Sequence, residues 1–277
     1  METFFKIEIE TNSLERLEIL MAELSDIDFY AFEENKNVLI AYIREKDFDR
    51  VKLRNVMLVE ETYKSEKIDS RNWNEEWETG LKPILIEKFV GIRASFHQPL
   101  QNVRHEIIIT PKMSFGTGHH ATTYLMIKQM EKIDFMGKKV LDFGTGTGVL
   151  AILAEKLGAK EILAIDNDDW SIANAAENFQ ANNCKQVVLE KRDDINGVMN
   201  QDVILANINT NILLQNAADL SLLCDIGAMV VLSGFLFNDK PAILSRFEGL
   251  GFEKNTESEK NNWISVLLYK EESPQKL

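Results

Sequence analysis

The chain has 277 residues, of which 45% are hydrophobic, so it is long enough for two domains with packed cores. Its net charge of −13 argues against direct nucleic-acid binding, because such a surface needs clustered lysine and arginine side chains. No apolar run approaches the roughly 20 residues of a membrane span, and the acidic start of the chain is unlike a signal peptide. We therefore expect a cytoplasmic protein that does not contact a membrane.

Residues 1–62 alternate between strand and helix patterns. The patterns fall at residues 4–10, 14–24, 38–43 and 47–56, and Ser13 precedes the first helix as its expected N-cap. This order predicts a small α+β domain of the ferredoxin-like type, packed on one face of a sheet. The segment contains no glycine and so offers no phosphate-binding turn. We expect a docking or structural module.

Residues 63–82 are rich in charge and weakly periodic, which predicts a linker between the first domain and a second domain at 83–277. Trp73 and Trp77 stand four residues apart in this segment and would share one face of a helix. Tryptophans in so polar a segment must pack against something. A domain interface and a bound ligand are equally consistent with the pattern.

Two strands are predicted at residues 84–96 and 103–109, and a glycine-containing loop with the sequence FGTGHHATT follows at residues 115–123. A helix comes next, and Thr122 or Thr123 is its expected N-cap. The two histidines of the loop do not predict a metal site, because adjacent side chains point apart and no third ligand is near. Loop-to-helix junctions of this kind bind ligands, so the loop is a candidate site.

Strand and helix patterns alternate from residue 139 onward. The strand patterns fall at residues 139–143, 161–166, 187–191, 202–206 and 229–233. That alternation predicts a parallel sheet covered by helices on both faces. After a helix at 241–250, the strands at 252–256 and 263–269 have no helix between them. The predicted fold is therefore α/β, a mostly parallel seven-stranded sheet with an antiparallel edge pair.

Three glycines, Gly144, Gly146 and Gly148, join the first of these strands to its helix. Because glycine has no Cβ atom, a ligand can lie directly against the backbone and the following helix N-terminus. Ligands of open parallel sheets gather at the carboxyl ends of the strands, where Asp166 ends the second strand and Asn207 the fourth. Asp166 could accept hydrogen bonds from both hydroxyls of a ribose. Alternatively, it could cap the helix that begins near residue 169.

The glycine spacing separates two classes of ligand. Nicotinamide enzymes are expected to show G-x-G-x-x-G, whereas here the third glycine comes one residue early. Asp142, two residues before the turn, would repel a pyrophosphate but could accept a hydrogen bond from an ammonium group. The pattern favours S-adenosylmethionine. A nicotinamide-dependent (NAD) oxidoreductase and a non-enzymatic adenosyl-cofactor-binding module are the alternatives.

Residues 140–148 and 164–166, together with Asn207, resemble the motifs of class I S-adenosylmethionine-dependent methyltransferases. More narrowly, the chain is similar to the methyltransferases of bacterial ribosomal protein L11. This second resemblance rests on residues 73–77, 82–83, 115–123 and 206–208 and on Trp263. The loop at 115–123 is the most specific match, although Ala121 stands where a proline is common. Residues 209–211 are more polar than the family leads us to expect.

The resemblance implies a Rossmann-like class I methyltransferase domain that binds S-adenosylmethionine. Its contacts are expected from Thr123, Gly144, Asp166 and Asn207, and we place Asp142, Gly146 and Phe115 in the same cofactor site. Our hypothesis for catalysis is that Asn207 orients the substrate amine and that His120 borders the reacting groups. No general base is assigned.

The family also implies a substrate and a role for the first domain. Lysine side chains or the N-terminal α-amine of ribosomal protein L11 would receive the methyl groups, and residues 1–62 would recognise this substrate. We expect a monomer that needs no metal ion. A different methylated protein or a small molecule is the alternative substrate.

Overall fold

The computed structural model of the chain describes residues 3–29, 31–35, 37–69, 82–110, 118 and 120–271. The chain divides into two compact units, Met1–Lys82 and Pro83–Leu277. Each unit has its own buried apolar residues. The two are described separately.

The first unit has the strand and helix order βαββαβ. Its elements are β1 (Thr3–Glu10), α1 (Leu14–Ser25), β2 (Ala31–Asn35), β3 (Val38–Arg44), α2 (Arg50–Val56) and β4 (Tyr63–Asp69). The sheet order β2-β3-β1-β4 is that of a ferredoxin-like domain, as predicted. Ser13 caps α1 by accepting a hydrogen bond from the Arg16 N–H at 3.1 Å, which confirms the predicted start of this helix.

The strand β4 occupies residues that we predicted to be the beginning of a linker. It pairs antiparallel with β1, from Thr3 opposite Asp69 to Ile9 opposite Tyr63. The first unit therefore extends beyond residue 62, and the predicted boundary was wrong. The strand was not predicted because β4 lies at the sheet edge, where its side chains are mostly exposed and polar and so show no hydrophobic pattern. Trp73 and Trp77 lie outside the described residues.

The second unit begins with a three-stranded sheet and continues with a large α/β sheet. The small sheet contains β5 (Ile84–Ile86), β6 (Val90–Ala94) and β7 (His105–Ile109). The strands of the large sheet are β8 (Lys139–Phe143), β9 (Glu161–Asp166), β10 (Val187–Lys191), β11 (Gln201–Asn207), β12 (Cys224–Leu236), β13 (Phe252–Lys260) and β14 (Trp263–Lys270). The helices are α3 (Ala121–Met130), α4 (Val149–Lys156), α5 (Asp169–Ala181), α6 (Thr210–Leu222) and α7 (Lys240–Glu248), with a 3₁₀ turn at Phe237–Asp239.

The large sheet has the order β10-β9-β8-β11-β12-β14-β13. Neighbouring strands from β10 to β12 run parallel, and β14 is antiparallel to both β12 and β13. The predicted seven-stranded sheet with its antiparallel edge pair is thereby confirmed. The order reverses between β8 and β11, which is the switch point where such sheets bind ligands.

Both faces of the large sheet are covered, because alternate residues of each central strand enter different cores. Val140, Val203 and Leu205 pack in one buried cluster with residues of α3, α4 and α5. Leu141 and Ile204 pack in a second cluster with residues of α6 and α7. Burial on both faces explains why the central strands are continuous apolar runs, and it leaves only the strand ends for polar functional groups.

The segment that we predicted as a single strand at 84–96 is two strands. Glu87 adopts φ 51°, which turns the chain between β5 and β6. β6 then pairs parallel with β7, so the chain must cross over between them. The buried Arg93 holds this crossover: its Nε donates to Glu106 Oε1 at 2.9 Å and its Nη1 to the His97 carbonyl oxygen at 3.1 Å.

The described residues contain neither a helix that could span a membrane nor a cluster of metal-binding side chains. Within the described ranges, every helix is too short or too polar to cross a bilayer. In the same ranges, no three His, Cys, Asp or Glu side chains are grouped so that they could hold a metal ion.

Candidate active site

The glycine turn, residues 144–148, joins β8 to α4. Gly144, Gly146 and Gly148 have φ values of 79°, 53° and 79°, in the left-handed region that favours glycine. The N–H groups of Gly144 and Thr145 both donate to the Ile165 carbonyl oxygen at 2.9 Å. A Cβ atom at Gly144 would collide with Ile208 Cγ2. The turn is thus hydrogen-bonded to the end of β9 and packs against Ile208, the residue after Asn207.

Asp142 is buried directly beneath this turn, with 1% of its surface exposed. Its Oδ2 accepts a hydrogen bond from the Thr145 hydroxyl at 2.6 Å, whereas Oδ1 has no hydrogen-bond partner. Burial raises the pKa of Asp142 to about 7, because a carboxylate loses its hydration there. A cationic group beside Oδ1 would restore the ionised form.

Asp166 ends β9 and binds the glycine turn. Its Oδ2 accepts from the Gly146 N–H at 2.9 Å and its Oδ1 from the Asp168 N–H at 3.0 Å. Burial raises its pKa above the ordinary value. The N-cap of α5 is Asp168, which accepts from the Ser171 N–H at 2.9 Å. The alternative that Asp166 caps this helix was therefore wrong.

Asn207 ends β11, and its buried Oδ1 has no hydrogen-bond partner. The next residue, Ile208, donates its N–H to the Ser233 carbonyl oxygen of β12 at 3.2 Å. Gly234 has φ 94°, and a Cβ atom there would collide with the Ile208 carbonyl oxygen. Gly234 was not among the residues predicted from the sequence, although a glycine directly after the strand pattern at 229–233 was a visible signal. It allows β12 to pass close enough to hold the backbone beside Asn207.

The helix α3 begins with His120 as its N-cap rather than with a threonine. His120 Nδ1 accepts from the Thr122 N–H at 3.3 Å and lies 2.7 Å from the Thr122 hydroxyl oxygen. The ring also meets Trp263 edge-on, with centroids 4.7 Å apart. Our prediction of Thr122 or Thr123 as the cap was wrong, because an imidazole nitrogen supplies the acceptor that a hydroxyl usually provides.

Burial determines the charge of the His120 ring. It lowers the pKa of His120 to about 4, so the ring is neutral at pH 7.

Thr123 lies in the first turn of α3 and is fully buried, and its hydroxyl oxygen has no hydrogen-bond partner. Phe115 and His119 of the same loop lie outside the described residues.

Strand pairing brings the predicted residues to one edge of the sheet. Phe143 pairs with Ile165 on one side and Ala206 on the other, which places Gly144 beside Asp166 and Asn207. The helix α3 reaches the same edge through Trp263, whose pairing partner Leu236 ends β12.

An S-adenosylmethionine molecule fits the unsatisfied atoms of this edge. In the described part of the chain, four buried side-chain oxygens lack a hydrogen-bond partner, and they belong to Thr123, Asp142, Asn174 and Asn207. Leaving such an atom unsatisfied costs about 1–3 kcal/mol. Three of the four are predicted cofactor residues. The cofactor carries an ammonium group, ribose hydroxyls and an adenine amino group, which are the donors that these acceptors need.

Comparison with known proteins places the chain in a family. The family model described as "Ribosomal protein L11 methyltransferase (PrmA)" matches residues 6–271. The chain is similar to the ribosomal protein L11 methyltransferase of Porphyromonas gingivalis, 38% identical over 271 residues, which cover 94% of this chain and 92% of that protein. The corresponding protein of Chlorobaculum tepidum is 36% identical over 265 residues and 91% of both chains.

Solved structures are also similar. The ribosomal protein L11 methylase of Lactobacillus delbrueckii subsp. bulgaricus superposes with a TM-score of 0.65 at 29% identity, over 69% of this chain and all of that one. The tRNA m1G37 methyltransferase of M. jannaschii shares the fold, with a TM-score of 0.51 at 13% identity and coverage of 97% and 100%. The match of the family model along nearly the whole chain shows that this protein belongs to the ribosomal protein L11 methyltransferase family.

Proposed function

We propose that the protein transfers methyl groups from S-adenosylmethionine to amines of ribosomal protein L11. The observation that supports this most directly is the set of buried, unpartnered acceptors of Thr123, Asp142 and Asn207 around a glycine turn. Relatives named for this activity match this chain over nine-tenths of its length or more. When bound, S-adenosylmethionine supplies an electrophilic methyl group on its sulfonium sulfur.

Three side chains are assigned here to cofactor binding. Asp142 Oδ1 would accept from the ammonium group, and that positive charge would keep the buried carboxylate ionised. Asp166 would accept from the ribose hydroxyls while its present bonds to Gly146 and Asp168 hold it in place. Thr123 supplies a further buried hydroxyl. Together they would orient the cofactor before reaction, which is where most of the rate gain in such transfers arises.

The substrate amine must be neutral, because an ammonium has no lone pair with which to bond the methyl carbon. For a lysine of pKa about 10.4, neutralisation at pH 7 costs about 4–5 kcal/mol, compared with about 1 kcal/mol for an α-amine of pKa near 7.7–8.0. An apolar pocket and a nearby positive charge both reduce the larger cost. Both kinds of amine are therefore feasible, and the α-amine is the easier one.

Asn207 and His120 are given different roles. Asn207 would orient the amine through its side-chain oxygen, which is buried at the end of β11 and lacks a partner. His120 would position α3 as its cap. A ring with a pKa of about 4 is a weak proton acceptor, and Nδ1 is already engaged with Thr122.

The acidity of the chain supports a protein partner. A net charge of −13 would attract a basic ribosomal protein and repel a nucleic acid. We propose that the first unit recognises the substrate and that the enzyme acts as a monomer without binding nucleic acid.

The substrate assignment predicts a specific change of mass. Incubating the protein with S-adenosylmethionine and the total ribosomal proteins of its host should add methyl increments to L11, as seen by intact mass measurement. Blocking the N-terminus of L11 by acetylation then separates α-amine from lysine methylation. A reaction without S-adenosylmethionine is the control. Methylation of another protein, or of none, would contradict the assignment.

Asp166→Ala should weaken the binding of S-adenosylhomocysteine at least tenfold by calorimetry, because charged hydrogen bonds to ligand and turn are both lost. A 2′,3′-dideoxy analogue of the ligand isolates the ribose role. Removing the hydroxyls should weaken binding to the wild type but have little further effect in the variant. An equal loss in both proteins would rule out a contact with the ribose.

Asn207→Ala should lower kcat at least tenfold and weaken the binding of S-adenosylhomocysteine by a smaller factor, because the residue is proposed to orient the substrate amine in addition to its cofactor contact. Asn211→Ala, on the exposed side of α6, is the matched control and should behave as wild type. If Asn207→Ala retains cofactor binding and methylates at the wild-type rate, the orienting role is wrong.

His120→Asn should keep most of the activity and thermal stability, whereas His120→Ala should lose about 1 kcal/mol of stability, since asparagine is a good helix cap and alanine is not. Thermal unfolding and methylation rates of both variants measure the difference. A role in accepting the proton would instead leave both variants equally inactive.

A further inference from the structure

A row of three asparagines connects α5 to the end of β7. Asn174 and Asn178 lie on α5 and are fully buried, and Asn182 is its C-cap residue. Successive members are four residues apart, so they share one face of the helix. None of the three residues of this row, Asn174–Asn178–Asn182, was predicted from the sequence to be functional.

The row satisfies backbone groups of Ile108, in β7, and of Thr110, the residue just after that strand. Asn182 accepts from the Ile108 N–H at 3.0 Å and donates to the Ile108 carbonyl oxygen at 2.6 Å. Asn178 accepts from the Thr110 N–H at 2.7 Å, and Asn174 donates to the Thr110 carbonyl oxygen at 3.0 Å. Four helical residues rise about 6 Å and two strand residues about 6.6 Å, so the two spacings agree. Side-chain amides thus replace a neighbouring strand at the free edge of β7.

Asn178 makes one contact that Asn182 does not. Its Nδ2 donates to the Thr147 carbonyl oxygen at 2.8 Å, within the glycine turn. One buried amide therefore joins the glycine turn to Thr110, the residue from which the chain leaves for the 115–123 loop. Helix α5 also lies directly against the turn here, since a Cβ atom at Gly148 would meet the Phe179 ring and Ala175.

We propose that Asn178 is a positioning residue for the cofactor. It fixes the glycine turn relative to Thr110 and so sets the shape of the site that binds S-adenosylmethionine. Only a side chain that accepts at one atom and donates at the other can serve both partners. The inference rests on cofactor binding in the proposed function. It predicts that a substitution at Asn178 changes the affinity for the cofactor, although Asn178 does not contact the cofactor itself.

The test compares two matched variants, Asn178→Asp and Asn182→Asp. Each variant keeps a side-chain oxygen that can accept the backbone N–H hydrogen bond, from Thr110 at position 178 and from Ile108 at position 182. Each also replaces a donating amide by a carboxylate, which cannot donate. Only Asn178→Asp removes the donor to the glycine turn. We expect it to weaken S-adenosylhomocysteine binding roughly tenfold by calorimetry, with Asn182→Asp within about twofold of wild type. The KM for S-adenosylmethionine should rise in parallel, with a smaller change in kcat.

Unfolding midpoints show whether the two variants lose similar stability. If Asn178→Asp does not fold, Asn178→Ala and Asn182→Ala give the same comparison, because the turn contact is again lost only in the first. Wild-type affinity in Asn178→Asp, or equal weakening in both variants, would overturn the positioning role while leaving the proposed function intact. A wild-type chain that binds no S-adenosylhomocysteine would contradict both.

Discussion

The close approach of three strand ends around the glycine turn is the constraint on which the rest of the site depends. The Ile165 carbonyl oxygen binds two N–H groups of the turn, and Ile208 packs where a Cβ atom at Gly144 would be. A side chain at position 144 would have no room, and Gly144, Gly146 and Gly148 have left-handed backbone conformations that glycine tolerates best. The same closeness places the ends of β9 and β11 within reach of one ligand.

A second property of the site is that three of its hydrogen-bond acceptors are buried without a donor to satisfy them. Asp142, Thr123 and Asn207 each hide an oxygen from water without giving it a partner. Such atoms lower the stability of the protein alone and increase the free energy gained when a ligand supplies donors. Asp142 shows the effect most clearly, because its buried carboxyl has a pKa of about 7 and is only partly ionised at neutral pH unless a cation lies beside it. Preorganised acceptors of this kind favour a cationic, hydroxylated ligand over a pyrophosphate.

Side-chain amide and imidazole groups make hydrogen bonds that backbone pairing makes elsewhere in the fold. His120 caps α3 with an imidazole nitrogen, and the asparagine row of α5 completes the edge of β7. His120 holds the start of α3, and Asn178 joins the glycine turn to Thr110 and to α5. A site that must hold a cofactor and admit a protein substrate benefits from such support, because precise placement dominates transfer chemistry.

The amino-acid sequence by itself determined the strands and helices of the large sheet, its antiparallel edge pair, and the alignment of Gly144, Asp166 and Asn207. Hydrophobic periodicity and glycine spacing are local properties, and the parallel arrangement of strands then aligns their ends. Only the tertiary structure decided the remainder: that β4 belongs to the first sheet, that Glu87 divides a predicted strand, that His120 is the cap, and that Asn178 and Gly234 support the site. Each depends on a partner distant in sequence, on a single backbone conformation or, for His120, on a residue type that is unusual as a helix cap, and none of these leaves a periodic signal in the chain.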